Sequence, residues 1–143
     1  MITVKIKKNS PKAIVPKIAT AGSACFDLYS CEEFVLGNGR FRRARTGITM
    51  EIPKGWHVKI YNRSGMAARG IIMPNAPGVI DTDYRGEIFV LLYGLFMQKQ
   101  EIFQVGSRIA QGELVEGEPV GFKVVSQLAN TDRGSGGFGS TGK

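Results

Sequence analysis

The sequence predicts an all-β sandwich or barrel in a single domain, and three observations support this prediction. Its 143 residues are enough to bury one core. Short runs in which apolar and polar residues alternate recur along the chain, which is typical of half-buried strands. Turn-forming residues separate these runs, and the 19 glycines are about twice the usual share of roughly 7%.

Strands are predicted along the whole chain. Three alternating triplets indicate strands in the first half: Ile2, Val4 and Ile6; Ile48, Met50 and Ile52; and Trp56, Val58 and Ile60. The run 87–96 is apolar on both faces, so it predicts a central strand of a sheet. Further strands are predicted at 101–105, 108–115 and 120–125.

One helical segment and one terminal arm complete the prediction. The helix is expected at 64–69, where small and helix-compatible residues follow a strand and Gly70 provides a stop signal. The last segment, 132–143, is rich in glycine and cannot form a core. We therefore expect a folded domain at 1–131 and a mobile arm at 132–143, with no internal repeat or linker.

Composition excludes several classes of protein. No apolar run approaches the roughly 20 residues needed to span a membrane, and the N-terminus lacks the apolar core of a signal peptide. Cys25 and Cys31 are too few for a disulfide framework, which favours reduced thiols and a cytoplasmic protein. The net charge is +7, but only the arginine cluster at 40–45 is dense and no aromatic ladder interleaves with it. We expect this charge to steer small polyanions and do not expect stable nucleic-acid binding.

The segment 75–86, NAPGVIDTDYRG, carries the strongest chemical signal. Two of the four aspartates of the chain, Asp81 and Asp83, stand here beside Tyr84. Acids concentrated at a turn of a basic protein indicate a general base or a group that anchors a metal. Strand alternation would place both carboxylates on one face, so the residues alone do not choose between them.

A phosphate site is predicted where Arg63, Ser64 and Gly65 join a strand to the helix. The first turn of a helix has free backbone N–H groups, and a neighbouring arginine can clamp an anion. The alternative is an ordinary helix cap beside a solvated arginine.

The glycine-rich arm offers a second group of anion ligands. Its glycines permit close backbone approach, Arg133 supplies a cationic fork, and Ser140 and Thr141 supply hydroxyl groups. Phe138 could stack on a base. The alternative is a flexible terminus without a ligand.

Other reactive residues have little support. The only histidine, His57, lies in an alternating run, so neither a zinc site nor a Ser-His-Asp triad is expected. With the segment GSRIAQ at 106–111, the two anion sites and the carboxylate turn together favour cleavage of a phosphate ester by activated water.

Five segments in this order resemble the five motifs of the homotrimeric deoxyuridine triphosphatase (dUTPase) family: 21–30, 63–70, 75–87, 106–111 and 133–142. The departures are Met66, where leucine is commoner, Ala76-Pro77 in the substrate hairpin, and Ser107 in place of a usual acid. The resemblance implies a distorted β jelly roll with one short helix. It also implies hydrolysis of dUTP to dUMP and pyrophosphate by Mg²⁺-assisted attack of water on the α-phosphorus, which keeps uracil out of DNA and supplies dUMP for thymidylate synthesis.

The resemblance also implies a role for each site residue. Asp81 would be the general base, Tyr84 would lie under the deoxyribose, and Asp27 would hold Mg²⁺ through water. The uracil would be read by the hairpin residues Asn75, Gly78, Val79 and Ile80. The phosphates would be held by Arg63, Ser64, Gly65 and Gln111. The arm would supply Arg133, Phe138, Gly139, Ser140 and Thr141.

The implied assembly is a homotrimer in which each arm closes over a neighbour's site. We expect no membrane partner and a cytoplasmic location, or a nuclear one if the source is eukaryotic or viral. Three other interpretations compete with this one: a dCTP deaminase of the same fold, a nucleotide-sensing protein that binds without fast turnover, and a basic nucleic-acid-binding module.

Overall fold

The computed structural model describes residues 2–137, which form twelve strands and one short helix. The strands are β1 Lys5–Lys8, β2 Lys17–Ile18, β3 Phe26–Tyr29, β4 Phe34–Leu36, β5 Phe41–Arg45, β6 Ile48–Glu51, β7 Trp56–Tyr61, β8 Ile71–Ile72, β9 Gly78–Ile80, β10 Phe89–Gly94, β11 Glu101–Phe103 and β12 Arg108–Glu116. The helix, α1, is Ser64–Ala67. The all-β prediction is therefore confirmed, although the helix and β11 are shorter than predicted.

Two larger sheets and two strand pairs build the fold. The five-stranded sheet has the order β2-β3-β12-β7-β9, and the three-stranded sheet has the order β5-β10-β8. The remaining pairs are β1 with β6 and β4 with β11. All these ladders are antiparallel. Within the described residues, no helix is long and apolar enough to cross a membrane.

The strand β10 is central, as predicted, and it separates the core from a second apolar surface. Val90 and Leu92 are fully buried, while Phe89, Leu91 and Tyr93 on the opposite face are only half-buried. Both neighbours add apolar residues to this opposite face, because Tyr93 pairs with Phe41 of β5 and with Ile72 of β8. We call its apolar part the outer apolar face, which consists of Phe41, Ile72, Phe89, Leu91 and Tyr93; Arg43 and Arg45 lie on the same side of the sheet, opposite Leu91 and Phe89.

The strand predicted at 120–125 is wrong. Residues 117–137 contain no strand, and 118–135 are exposed throughout. Phe122 is 96% and Val124 99% exposed. Alternation at Val120, Phe122 and Val124 has the period of a strand, but nothing in the described part of the chain covers the apolar side of this segment.

Candidate functional site

Residues from three distant segments line one cavity of about 380 Å³ at the end of the five-stranded sheet. Asp27 comes from β3, Arg63 from the residue before α1, and Arg108 and Gln111 from β12. The cavity is completed by Ala19, Ser23, Ala24 and Cys25. We call it the arginine cavity. It gathers three of the predicted site residues, Asp27, Arg63 and Gln111.

Asp27 forms ion pairs with both arginines of the cavity. Its Oδ1 lies 3.2 Å from Nε of Arg63, and its Oδ2 lies 3.4 Å from an amine nitrogen of Arg108. The carboxylate is well shielded, with 13% of its side chain exposed, whereas the side chain of Arg108 is 53% exposed. One partly buried negative charge thus holds two cations, and the cavity keeps a net positive charge that suits a phosphate.

The turn into α1 exposes main-chain donors beside Arg63. Arg63 is the N-cap residue with extended backbone, and its carbonyl oxygen accepts the N–H groups of Met66 and Ala67 at 3.0 Å each. The N–H groups of Ser64 and Gly65 precede this first bonded turn, and both residues are exposed. Ser64 is the first helical residue and its side chain does not cap the helix, so the helix-cap alternative does not apply to Ser64.

Gln111 faces the same cavity from the middle of the sheet. It lies opposite Asp27 of β3 on one side and Tyr61 of β7 on the other. Its Nε2 donates to the main-chain oxygen of Asn62 at 3.2 Å. This bond fixes the side-chain amide of Gln111 close to Arg63, which directly follows Asn62 in the chain.

The hairpin that contains Asn75 ends in β9, at the edge of the five-stranded sheet. Gly78 is buried opposite Ile60, Val79 is 53% exposed, and Ile80 is half-buried opposite Val58. A Cβ atom at Gly78 would lie 3.2 Å from Nδ2 of Asn75. The absence of a side chain at residue 78 therefore lets the Asn75 amide pack against the strand.

The chain turns directly after β9, which corrects the alternation argument for the two aspartates. The N–H of Tyr84 donates to the oxygen of Asp81 at 3.2 Å, which closes a turn at 81–84. Strand alternation does not apply there, and Asp81 and Asp83 are both exposed. The hydroxyl of Thr82 donates to the oxygen of Trp56 and holds the turn against β7.

Asp81 lines a second cavity, of about 480 Å³, which Asp83 does not line. Its walls are Gly55, Trp56, His57, Val79, Thr82, Gly117, Glu118 and Pro119. We call it the Asp81 cavity. Neither Arg63 nor Gln111 lines it, so within one chain the predicted site residues lie in two separate cavities.

The end of the turn is anchored to the core by Glu87. Its two carboxylate oxygens accept from Arg45 at 3.1 and 3.0 Å, and one also accepts from the N–H of Gly47 at 3.0 Å. The Arg45 guanidinium and this N–H hold the pKa of Glu87 below its usual range, against a smaller opposite effect of burial. Tyr84 is tied to the same point, because its hydroxyl donates to the oxygen of Glu87 at 3.0 Å.

The separation between the two cavities follows from the sheet register. Asp27 pairs with Gln111, Gln111 pairs with Tyr61, and Asp81 directly follows Ile80, which pairs with Val58. Three strand spacings of about 4.8 Å and four residues at about 3.4 Å each separate these positions, which corresponds to roughly 20 Å between the Cα atoms of the two aspartates along a flat sheet. A triphosphate is too short to reach from one to the other.

The described part of the arm is exposed. Arg133 donates from Nε to the oxygen of Gly136 at 2.9 Å, in a local turn remote from both cavities in sequence. The other predicted arm residues, Phe138, Gly139, Ser140 and Thr141, lie outside the described residues.

Two features of the structure were assigned no role from the sequence. Arg108 shares Asp27 with Arg63, and the pair Arg45–Glu87 anchors the turn at 81–84. Arg108 is the first residue of β12, and its position in the sequence does not reveal that it contacts Asp27, because that contact depends on the register of β12 against β3.

Among the described residues no three His, Cys, Asp or Glu side chains are grouped in a way that could hold a metal ion.

Comparison with known proteins identifies the family. The sequence model of the dUTPase family matches residues 11–142. A deoxyuridine 5'-triphosphate nucleotidohydrolase of Helicobacter pylori strain J99 is 44% identical over 140 residues, which cover 97% of this chain and 96% of the relative. A protein of the same name from Nautilia profundicola is 42% identical over 143 residues and covers 98% of this chain and 99% of its own.

Solved structures agree in fold. A variant of the Staphylococcus bacteriophage 80alpha dUTPase, solved with dUpNHpp, matches with a TM-score of 0.86 at 22% identity over 99% of both chains. A variant dUTPase from phage phi11 of S. aureus, described with a structural Mg(II) ion, matches with a TM-score of 0.82 at 18% identity, over 90% of this chain and 99% of that chain. These matches confirm the predicted distorted jelly roll. The family match and the relatives above 40% identity go further than fold: the chain belongs to the dUTPase family.

Proposed function

We propose that the protein hydrolyses dUTP to dUMP and pyrophosphate by attack of water on the α-phosphorus. The observation that carries this proposal is the arginine cavity, where residues from three distant segments meet around two arginines and one carboxylate. The names of the relatives and the family match support it.

Asp81 is the proposed general base. It is exposed and lines a cavity of about 480 Å³. A positioned carboxylate that accepts a proton from attacking water typically contributes about 10²–10⁴-fold in rate. Asp83 is excluded from this cavity, which supports Asp81 over Asp83.

The arginine cavity is the proposed phosphate site. Arg63, the N–H groups of Ser64 and Gly65, and the Gln111 amide are donors that an anion needs, and the net charge of the cavity favours the triphosphate. In-line transfer relies on such positioning and charge stabilisation rather than on a covalent group.

Mg²⁺ is the proposed cofactor, with an indirect protein contact. Each oxygen of Asp27 already faces an arginine, which leaves lone pairs for water hydrogens but no free carboxylate for direct ligation. Mg²⁺ keeps several waters and binds mainly through substrate phosphates, and such a site fits Asp27 as a group that orients those waters. When bound, the ion neutralises charge on the triphosphate.

Base and sugar selection are assigned to the hairpin and the turn. Asn75, Gly78, Val79 and Ile80 would read uracil through main-chain groups and the Asn75 amide. A base with opposite hydrogen-bonding polarity, such as cytosine, would leave buried groups unpaired. The ring of Tyr84 would exclude a 2′-hydroxyl.

A homotrimer is the proposed active form. The roughly 20 Å between Asp27 and Asp81 prevents one chain from placing its own base on the phosphate that its own arginines hold. A second copy that brings its Asp81 cavity against this chain's arginine cavity would complete the site. The outer apolar face and the exposed apolar residues of 120–125 supply surface for such contacts.

The arm is proposed to close over a neighbouring site. We keep the division into a catalytic domain at 1–131 and an arm at 132–143, which would bring Arg133, Phe138, Gly139, Ser140 and Thr141 to the bound nucleotide. The cytoplasmic location also stays a proposal, supported by the free thiols of Cys25 and Cys31.

A nucleotide-selectivity assay tests the function. The protein is incubated with dUTP, dCTP, dTTP and UTP in Mg²⁺, and pyrophosphate and ammonia are measured. We expect pyrophosphate from dUTP alone and no ammonia. Comparable rates on all four nucleotides would overturn the specificity, and ammonia from dCTP would indicate a deaminase. A mass measurement of the same sample checks the trimer.

A further inference from the structure

We propose that Asn62 is a positioning residue that sets the geometry of the phosphate-binding segment 63–70. The proposal rests on the phosphate role assigned above to Arg63, Ser64 and Gly65. Asn62 lies between the end of β7 and the start of α1, and it binds nothing in that scheme itself.

The side chain of Asn62 closes the segment at its base. Its Nδ2 donates to the oxygen of Ile71, at 2.9 Å, and thereby joins the residue before the segment to the residue after it. The main-chain oxygen of Asn62 accepts from Gln111 at 3.2 Å. One residue therefore fixes both ends of the segment and the amide of a second proposed phosphate ligand.

These two bonds also connect the two larger sheets. Ile71 begins β8 of the three-stranded sheet, whereas Gln111 belongs to β12 of the five-stranded sheet. The position of Arg63 relative to Gln111 thus depends on how the two sheets are held at Asn62. A second bond adds to the hold at the far end of the segment, because the oxygen of Gly70 accepts the N–H of Leu95 at 2.8 Å.

Within the part of the chain that the structure describes, the amide at residue 62 forms a hydrogen bond on its donor side only. Oδ1 of Asn62 is buried and has no hydrogen-bond partner among residues 2–137. A buried acceptor without a partner destabilises a fold, whereas an apolar side chain of the same size would remove the donor to the oxygen of Ile71. The hydrogen bond from Nδ2 to the oxygen of Ile71 is therefore the contact for which an amide is needed at residue 62.

Loss of this donor should weaken binding of the triphosphate group more than binding of the nucleoside. Arg63, Ser64 and Gly65 would shift relative to Gln111, while the hairpin 75–80 and Tyr84 are held by other contacts. Ligands that need the phosphate segment should bind less well. A ligand with one phosphate, held mainly by the hairpin and the turn, should be affected less.

The test compares Asn62→Leu and Asn62→Ala with Asn9→Ala in the full-length chain. Asn9 is a matched control, because its Nδ2 also donates one side-chain hydrogen bond, to Thr49 at 2.8 Å, away from both cavities. Calorimetry gives the Kd of dUpNHpp and of dUMP, and steady-state kinetics gives kcat and KM for dUTP. Hydrogen exchange reports the protection of amides 63–70.

We expect both Asn62 variants to weaken dUpNHpp binding by at least about tenfold and to change dUMP binding by less than about twofold, since misplacement of contact groups by about 1 Å can cost up to about 10²-fold. Amides 63–70 should exchange faster, and Asn9→Ala should match the wild type in both affinities.

Unchanged dUpNHpp affinity in both Asn62 variants would overturn the proposal. An equal loss for both ligands with a lowered Tm would also overturn it, because that outcome indicates general damage. A wild-type protein that does not hydrolyse dUTP would overturn the proposed function itself.

Discussion

Asp27 shows how one side chain can organise a charged site. It is partly buried and lies between Arg63 and Arg108, at 3.2 and 3.4 Å. Removing one partner of such a group leaves a shielded charge without full compensation, so each member depends on the others. A phosphate that enters the cavity therefore meets arginines that are already oriented, and little ordering is left for the binding step.

The residue that acts as base can be tested by a pair of neighbouring variants. Asp81→Asn should keep dUpNHpp affinity and lower kcat by at least about 10²-fold, because the amide cannot accept the proton of the attacking water. Asp83→Asn is the matched control and should keep a near-normal rate, since Asp83 lies outside the Asp81 cavity. Steady-state kinetics measures both. A large loss in the control with little loss at residue 81 would move the base role to Asp83.

The Glu87 carboxylate makes stability depend on pH in a defined direction. Its pKa is lowered in the folded protein, chiefly by Arg45 and also by the N–H of Gly47, so it stabilises the fold above its ordinary pKa of about 4.3. That contribution is lost as the pH falls through the lowered pKa. Glu87→Gln should lower Tm at neutral pH by about 2–4 °C, a modest value because solvent screens the exposed Arg45. Thermal unfolding scans check it, and a Tm difference that stayed constant down to pH 3 would contradict the assignment.

At the scale of elements, the turn after β9 places an aromatic ring over a glycine. A Cβ atom at Gly86 would collide with the outer part of the Tyr84 ring. Because Tyr84 is 42% exposed, its ring can move toward solvent once the hydrogen bond to Glu87 breaks, so the substitution Gly86→Ala should displace the ring with little effect on the fold. The turn therefore depends on Gly86 to keep Tyr84 bonded to the oxygen of Glu87.

Gly86→Ala gives a prediction about sugar selection. If Tyr84 excludes the 2′-hydroxyl, its displacement should reduce the preference for dUTP over UTP, by about tenfold or more, since selectivity of this kind follows from contact with one group. The ratio of kcat/KM for the two nucleotides measures it, and Tm serves as the folding control. An unchanged ratio with a normal Tm would remove Tyr84 from sugar selection.

The strands that the sequence predicted correctly are those whose alternating apolar residues pack into the core of the same chain. The alternation at Trp56, Val58 and Ile60 correctly indicated β7, because Val58 and Ile60 fill the core of the same chain. The segment 120–125 has the same pattern without a core to enter, and there the prediction was wrong. Alternation at Asp81 and Asp83 failed for another reason, since the backbone leaves the extended conformation at residue 81.

The predicted site residues were partly brought together. Asp27, Arg63 and Gln111 meet because β3, β12 and β7 are neighbours in one sheet, and that order cannot be read from the chain. The role of Arg108 depends on the register of β12 against β3, which includes a bulge between residues 108 and 110. The residue pattern along one strand does not indicate how that strand is aligned with its neighbour in the sheet.

At the scale of the whole molecule, the proposed function requires more than one copy. The arginine cavity does not include Asp81, the proposed general base, and among the described residues the Asp81 cavity includes no arginine. The outer apolar face leaves Phe41 59% exposed beside half-buried aromatic and aliphatic side chains. An apolar sheet surface of this kind is typical of contacts between subunits.

Mixing two inactive variants tests whether the site is shared. Asp81→Asn lacks the base and Arg63→Ala lacks a phosphate ligand, and each alone should be nearly inactive. If each site combines Asp81 of one copy with Arg63 of another, roughly a quarter of the sites in an equal random mixture keep both groups. Co-expression followed by a pyrophosphate-release assay measures the recovery. No recovery in mixed assemblies of confirmed composition would show that one chain supplies both residues.

The bare stretch around Phe122 and Val124 bears on how long a newly made copy survives. Exposed backbone without strand partners is a preferred substrate for proteolysis, and exposed apolar side chains promote aggregation before assembly. A chain that finds its partners quickly would hide this stretch, whereas a surplus or damaged chain would keep it visible. Exposure of this stretch would therefore make unassembled copies more susceptible to degradation than assembled ones.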